Sequence, residues 1–230
     1  MTTVHASERV GTIFSVEAML AAREGSWRVL HDIAAAIRPG MTEDDARRIA
    51  AEAIAASGAQ RIWHPSIVRF GPNTLKTFRQ RSAPDTVLGE DDIFFVDLGL
   101  VFEGHEGDVG DTFAAGNDPI ASACAMAART IFDAVASEWR ENSTTGRALY
   151  DFAARQADVA GWVLNHETKG HRVGDYPHAI WKAGDLGDFE GEPAAGLWIL
   201  EIQIRHPDLP VGAFYEDLLV RGIDPAGSHA

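Results

Sequence analysis

Residues 93 to 115 constrain this chain more than any other stretch: an apolar run, Ile93-Phe94-Phe95-Val96, enters Asp97, Glu103-Gly104 supplies turn chemistry, and a second run carries Asp108. That pattern predicts a β-hairpin. With the loop centred on Glu103 and Gly104, Asp97 falls opposite Gly110 and Asp108 opposite Gly99, so both acids share one face. Diagonal neighbours on paired strands lie about 7–8 Å apart, close enough for both carboxylates to reach one ion or a pair of ions roughly 3.5–4 Å apart. A one-residue slip would separate them. Either acid alone reads as a turn residue in solvent. Asp97, directly after a run that looks buried on both faces, needs a partner or a metal.

At 230 residues and 46% hydrophobic composition, the chain can bury one substantial core, and a single domain spanning 1–230 is expected. The formal charge of −14 argues against nucleic acid or an anionic membrane as partner, because both require Lys/Arg clusters. Cys124 is the only cysteine, which excludes a disulfide framework and a zinc-thiolate site and suits a small buried residue in a helix. The first residues lack a basic segment followed by an apolar one, and no eighteen apolar residues run together, so a cytoplasmic protein is expected.

Apolar residues at helical spacing predict a helix over 15–37, ended by Pro39-Gly40, and a second from a Thr42/Asp45 capping box to Gly58. Residues 61–70 read as extended, followed by a Gly71-Pro72-Asn73 turn and the hairpin. Asp118-Pro119 opens a third helix over 120–139, and a fourth covers about 144–160. Short strands are expected at 162–164, 170–174, 197–205 and 213–220, with a frayed tail from Asp224. Two helices then strands thus occur twice, which suggests an internally duplicated α+β domain with halves at about 15–116 and 117–222.

Three further stretches set functional side chains among glycine and apolar residues: Gly170-His171-Arg172-Val173-Gly174 with His178 beyond it, Leu197 to Ile204 around Glu201, and Gly212 to Val220 around Glu216. Each alone reads as a satisfied polar residue at a strand end. Together, four acids on buried-looking strands would repel one another without cations to hold them. The order Asp97, Asp108, His171 within Gly-His-x-x-Gly, Glu201 and Glu216 resembles the M24-like superfamily of methionine aminopeptidase, Xaa-Pro aminopeptidase and creatinase, the pita-bread fold. That resemblance covers essentially the whole chain. It implies two divalent ions, with Asp97, Asp108 and Glu216 shared or bridging, His171 and Glu201 on one of them, and a water between them. It further implies that Glu201 relays a proton and that His178 bonds the substrate carbonyl or oxyanion.

Oxygen donors with one imidazole suit Mn²⁺, Fe²⁺ or Co²⁺ and tolerate Zn²⁺. The chain departs from the superfamily's pattern in Phe78 where its peptidases carry a histidine, in Arg172 after the ligand histidine, and in Ala179, Ile202 and Asp111. His64 is a candidate substitute for the missing histidine, and His64, Arg69 and Arg172 are the expected substrate-side residues. The expected function is an aminopeptidase-like metal-dependent hydrolase of a small peptide or amide, with monomer and homodimer both open. A creatinase-like C–N hydrolase, or a specialised pathway enzyme that has lost peptide cleavage, is the second reading. A binding module without catalysis is the third, and the intact ligand set speaks against it.

Overall fold

The computed structural model describes residues 5–221, with the backbone alone for Trp181. The tail expected from Asp224 lies outside the described residues. Helix α1 (Val16–Ala36) starts where the Ser15 hydroxyl accepts the Ala18 N–H. Helix α2 (Glu43–Ala56) starts at the reciprocal Thr42/Asp45 capping box that its sequence announces. Strands β1 (Arg61–Phe70), β2 (Asp92–Phe102) and β3 (His105–Ala115) follow, then helices α3 (Pro119–Asn142) and α4 (Gly146–Val159). Strands β4 (Val163–Leu164), β5 (His171–Arg172), β6 (Trp198–Arg205) and β7 (Gly212–Leu218) complete the fold. The strand expected over 170–174 is only two residues long, because Gly170 takes a left-handed conformation (φ +67°) that ends the pairing on its near side.

The strands form one antiparallel sheet in the order β1-β2-β3-β7-β6-β4, with β5 also paired to β6. Its two halves join where Gly110 of β3 pairs with Glu216 of β7. On one face the helices seal two cores. Leu30, Ile33 and Ala46 pack on Leu98, Leu100 and Val109 in the first half. Cys124, Trp139 and Leu149 pack on Trp198, Leu200 and Ile202 in the second. Helix α3 is long and apolar enough to cross a bilayer by length and composition, yet here its buried side, Cys124, Ala128, Ile131 and Val135, packs into this core. Because side chains alternate along a strand, Asp97 and Gly99, which alternate with core residues Val96, Leu98 and Leu100, face the other way, into the open side of the sheet.

Crossed ion pairs tie the halves together on the helix side. Arg23 of α1 reaches Asp217 of β7, with Nε donating to Oδ1 at 2.6 Å and Nη2 pairing with Oδ2. Arg129 of α3 reaches back to Asp111 of β3. Burial pushes the Asp111 carboxyl up to about 6 against the pull of Arg129. Asp111, one of the departures from the superfamily's pattern, therefore lies on the helix side; it neighbours Gly110 in sequence and points through the sheet in the opposite direction. Arg23→Met should lower stability by about 3 kcal/mol, the low end for breaking a buried pair. Arg129→Met should cost less, since the Arg129 side chain is 53% exposed and Arg23 only 26%. Urea denaturation of the two variants tests the order; an equal or reversed ranking would refute it.

Candidate metal centre

The hairpin forms in the expected register: Asp97 pairs with Gly110 and Gly99 with Asp108. Its turn residues Glu103 and Gly104 both have positive φ, 48° and 73°, as a tight hairpin turn of the primed type requires. Next to Gly110 stands Glu216, and next to Glu216 stands Glu201. Asp97, Glu216 and Glu201 thus lie in one row across β2, β7 and β6, with Asp108 one step along β3. Glycine clears the ground between them. A Cβ on Gly110 would come within 3.0 Å of Glu216 Cγ, and one on Gly99 would come within 2.0 Å of the His64 ring.

Histidine enters from two directions. His171 Nε2 lies 2.9 Å from Asp108 Oδ2 and 3.7 Å from Glu201 Oε1. His64 Nε2 lies 2.9 Å from Asp108 Oδ1 and 3.6 Å from Asp97 Oδ1. The Gly170 N–H donates to Glu201 Oε2 at 2.9 Å, fixing one oxygen of that carboxylate. Among the described residues, three buried carboxylate oxygens of the cluster, Asp97 Oδ1, Asp108 Oδ2 and Glu216 Oε1, accept no well-formed hydrogen bond. Buried acceptors are rarely left so, and several of them gathered in one cluster fit cations. His64, Asp97 and Asp108, and separately Asp108, His171 and Glu216, each present ligand atoms within 4.8 Å of one another. Asp108 is common to both groups.

The electrostatics follow from the crowding. Burial pushes Asp97 up to about 7, eased by His64 and reinforced by Asp108. Burial, then Asp108 and Asp97, drives Glu216 well above the carboxylate range. Burial works on Asp108 in the same direction, but His64 and His171 outweigh it and hold that carboxyl below its ordinary value. The imidazoles respond in turn: against burial, Asp108 and Asp97 push His64 up to about 10, and Asp108 and Glu201 push His171 up to about 9. Without metal the cluster holds itself together with protons.

These groups line a cavity of about 450 Å³ that also takes in Trp63, Phe78, Lys169 and His178. His178 is held from behind: its Nδ1 lies 2.5 Å from Glu106 Oε2 and its backbone N–H donates to Glu106 Oε1 at 3.2 Å. Glu106 is fully buried and also accepts the Gly174 N–H at 3.0 Å. Sequence reasoning passed over Glu106, although strand alternation puts it on the same face as Asp108, two residues on.

The expected substrate-side arginines do not reach the cavity. Arg172 follows His171 on a strand and points the opposite way, buried, with Nη1 donating to the Val173 carbonyl at 2.8 Å and Nη2 to the Arg9 carbonyl. Arg69 is buried too, its guanidinium donating to the carbonyls of Thr77 and Gln80 and to Ser82, and so it secures the loop that carries Phe78. Ile202, beside Glu201, lies in the helix-side core. Of the departures from the superfamily's pattern, Phe78 lines the cavity and is 66% exposed.

Residues 17–218 match the model of metallopeptidase family M24. A search of curated proteins finds no match. Among solved structures, the chain is similar to a methionine aminopeptidase from Thermotoga maritima (TM-score 0.72, 17% identity), covering 92% of this chain and 95% of that one. It is also similar to an X-Pro aminopeptidase from Thermotoga maritima (TM-score 0.68, 19% identity, 87% of this chain) and to a dipeptidase, PepE, from Mycobacterium ulcerans (TM-score 0.66, 25% identity, 89%). The chain spans only 56% of that X-Pro aminopeptidase and 55% of that dipeptidase. With helix pairs on one face of a curved antiparallel sheet and a carboxylate-rich cluster on the other, the chain belongs to metallopeptidase family M24 and has the pita-bread fold.

Proposed function

We propose that this protein is a dinuclear metal-dependent hydrolase of aminopeptidase type, acting on a small peptide or amide. The observation that carries the reading is the set of buried oxygens on Asp97, Asp108 and Glu216 that accept no well-formed hydrogen bond, lining an accessible cavity. Asp97, Asp108, His171, Glu201 and Glu216 would hold the ions, and Mn²⁺, Fe²⁺ or Co²⁺ suit that donor set, with Zn²⁺ tolerated. Bound ions supply a water acidic enough to attack near neutral pH and polarise the scissile carbonyl. The protein's own groups do the rest. Glu201, one oxygen pinned by the Gly170 N–H, lines the cavity as the carboxylate that would take the proton of the attacking water. His178, held at Nδ1 and its backbone N–H by Glu106, lines the cavity, and with both ring nitrogens protonated its Nε2 would donate to the developing oxyanion.

Phe78 favours a second reading, a creatinase-like hydrolase of a non-peptide C–N bond, because it puts an exposed aromatic ring where the family's peptidases carry a histidine. Turnover of a Met-Gly-type peptide should fall well short of an ordinary rate of about 10 s⁻¹. Hydrolysis of a peptide library and of small amides, before and after chelation and metal restoration, separates the readings. Ordinary rates on Met-Gly peptides would show that Phe78 does not matter, and activity indifferent to chelation would end the metallohydrolase reading.

A further inference from the structure

We propose that His64 is a sixth metal ligand, so that each ion of the pair is held by one imidazole: His64 with Asp97 on one side, His171 with Glu201 on the other, and Asp108 between them. The inference rests on the dinuclear reading above and adds to it a donor outside the five implied ligands.

The two histidines are placed alike although they come from opposite ends of the site. His171 Nδ1 lies 3.1 Å from the carbonyl oxygen of the next residue, Arg172, and His64 Nδ1 lies 3.1 Å from that of its own next residue, Pro65. A carbonyl only accepts, so in both rings Nδ1 carries the proton and Nε2 is directed into the cluster. A metal-bound imidazole characteristically gives its second N–H to a backbone carbonyl in this way, which fixes tautomer and ring orientation. The two Nε2 atoms then divide Asp108 evenly, His64 at 2.9 Å from Oδ1 and His171 at 2.9 Å from Oδ2. A carboxylate bridging two ions offers one oxygen to each, and here each oxygen already faces one imidazole.

The backbone goes out of its way to deliver His64. The β1–β2 register shifts on both sides of it, between Ile62 and His64 and again between His64 and Ile67, with Pro65, which has no N–H to give, in the gap. Bulges of this kind re-aim a side chain. The ring is directed over Gly99, where any side chain would collide with it, and the edge-on Trp63 ring packs against it at 4.5 Å between centroids. An adventitious contact would not need a bulge, a cleared glycine and an oriented tautomer together. Two imidazoles would move the site's preference from Mn²⁺ toward Co²⁺, Fe²⁺ and Zn²⁺.

The test uses Co²⁺ added to the metal-stripped protein and proton NMR of the paramagnetically shifted, solvent-exchangeable histidine N–H resonances. Wild type should show two, from the Nδ1–H groups of His64 and His171, and one of them should vanish in His64→Ala and in His64→Phe. Isothermal titration should show that each variant binds one ion at least about 10²-fold more weakly, beyond the cost of losing an outer partner. If no shifted resonance depends on His64, and both variants bind two ions as wild type does, the sixth ligand is refuted while the dinuclear site stands. If wild type takes up no cobalt, both readings fall. Should neither variant fold, the wild-type count alone decides, one resonance with two bound ions being the refuting result.

Discussion

Asp108→Asn should lose bound metal and turnover together, whereas His178→Ala should keep its metal and lose turnover by about 10²–10³, the usual cost of one transition-state donor. The split follows from where the two residues stand. Asp108 is the residue common to both clusters of ligand atoms, and each of its oxygens already faces a histidine. Its amide analogue removes a charge from the middle of the site and offers one acceptor where two are needed. His178 stands apart from those clusters, lining the same cavity but committed through Nδ1 and its backbone N–H to Glu106. Metal stoichiometry by elemental analysis, measured beside kcat for each variant, is the test. Loss of metal from His178→Ala as readily as from Asp108→Asn would make His178 a ligand and overturn the division of roles.

The hairpin was legible because its turn and its side-chain pattern agree: Glu103-Gly104 fixes the register, and the register alone sets Asp97 and Asp108 on one face. The helices were legible from their period and from caps such as Thr42 and Asp118. The errors share one cause. Arg172, Ile202 and Asp111 read from the sequence as departures from the superfamily's pattern close to the site, yet on a strand the residue adjoining an inward-facing one points to the opposite face. Counting by two, which would have excluded all three, would also have found Glu106 beside Asp108. Arg69 was misplaced for another reason, since the loop over 77–82 that it secures leaves no periodic trace. The orientation of His64 depends on two register shifts around Pro65, and a lone histidine before a proline does not announce them.

The metal-stripped protein should lose stability steadily as pH rises from about 4 toward 10, and bound metal should reverse the trend. Asp97, raised from 3.8 to about 7, keeps a proton in the folded state that the unfolded chain has already released. Its contribution is complete below 3.8 and is lost as pH climbs through about 7. Glu216, also raised, acts in the same sense. The histidines continue the decline: raised from 6.5 to about 10 and about 9, His64 and His171 contribute fully below 6.5 and lose that contribution as they deprotonate. Asp108 has the opposite sign, but its lowered value confines its effect to pH below about 3.8. Across the neutral range the signs therefore agree. Ions must displace these same protons from the carboxylates and imidazoles, so their binding strengthens as pH rises. At one hundred times the dissociation constant, bound metal would add about 2.7 kcal/mol. The gap in melting temperature between metal-loaded and stripped protein should accordingly widen from about pH 5 to about pH 8. Thermal melts of both forms across that range provide the measurement, and a gap that stays constant or closes would mean that the cluster is not held by protons in the absence of metal.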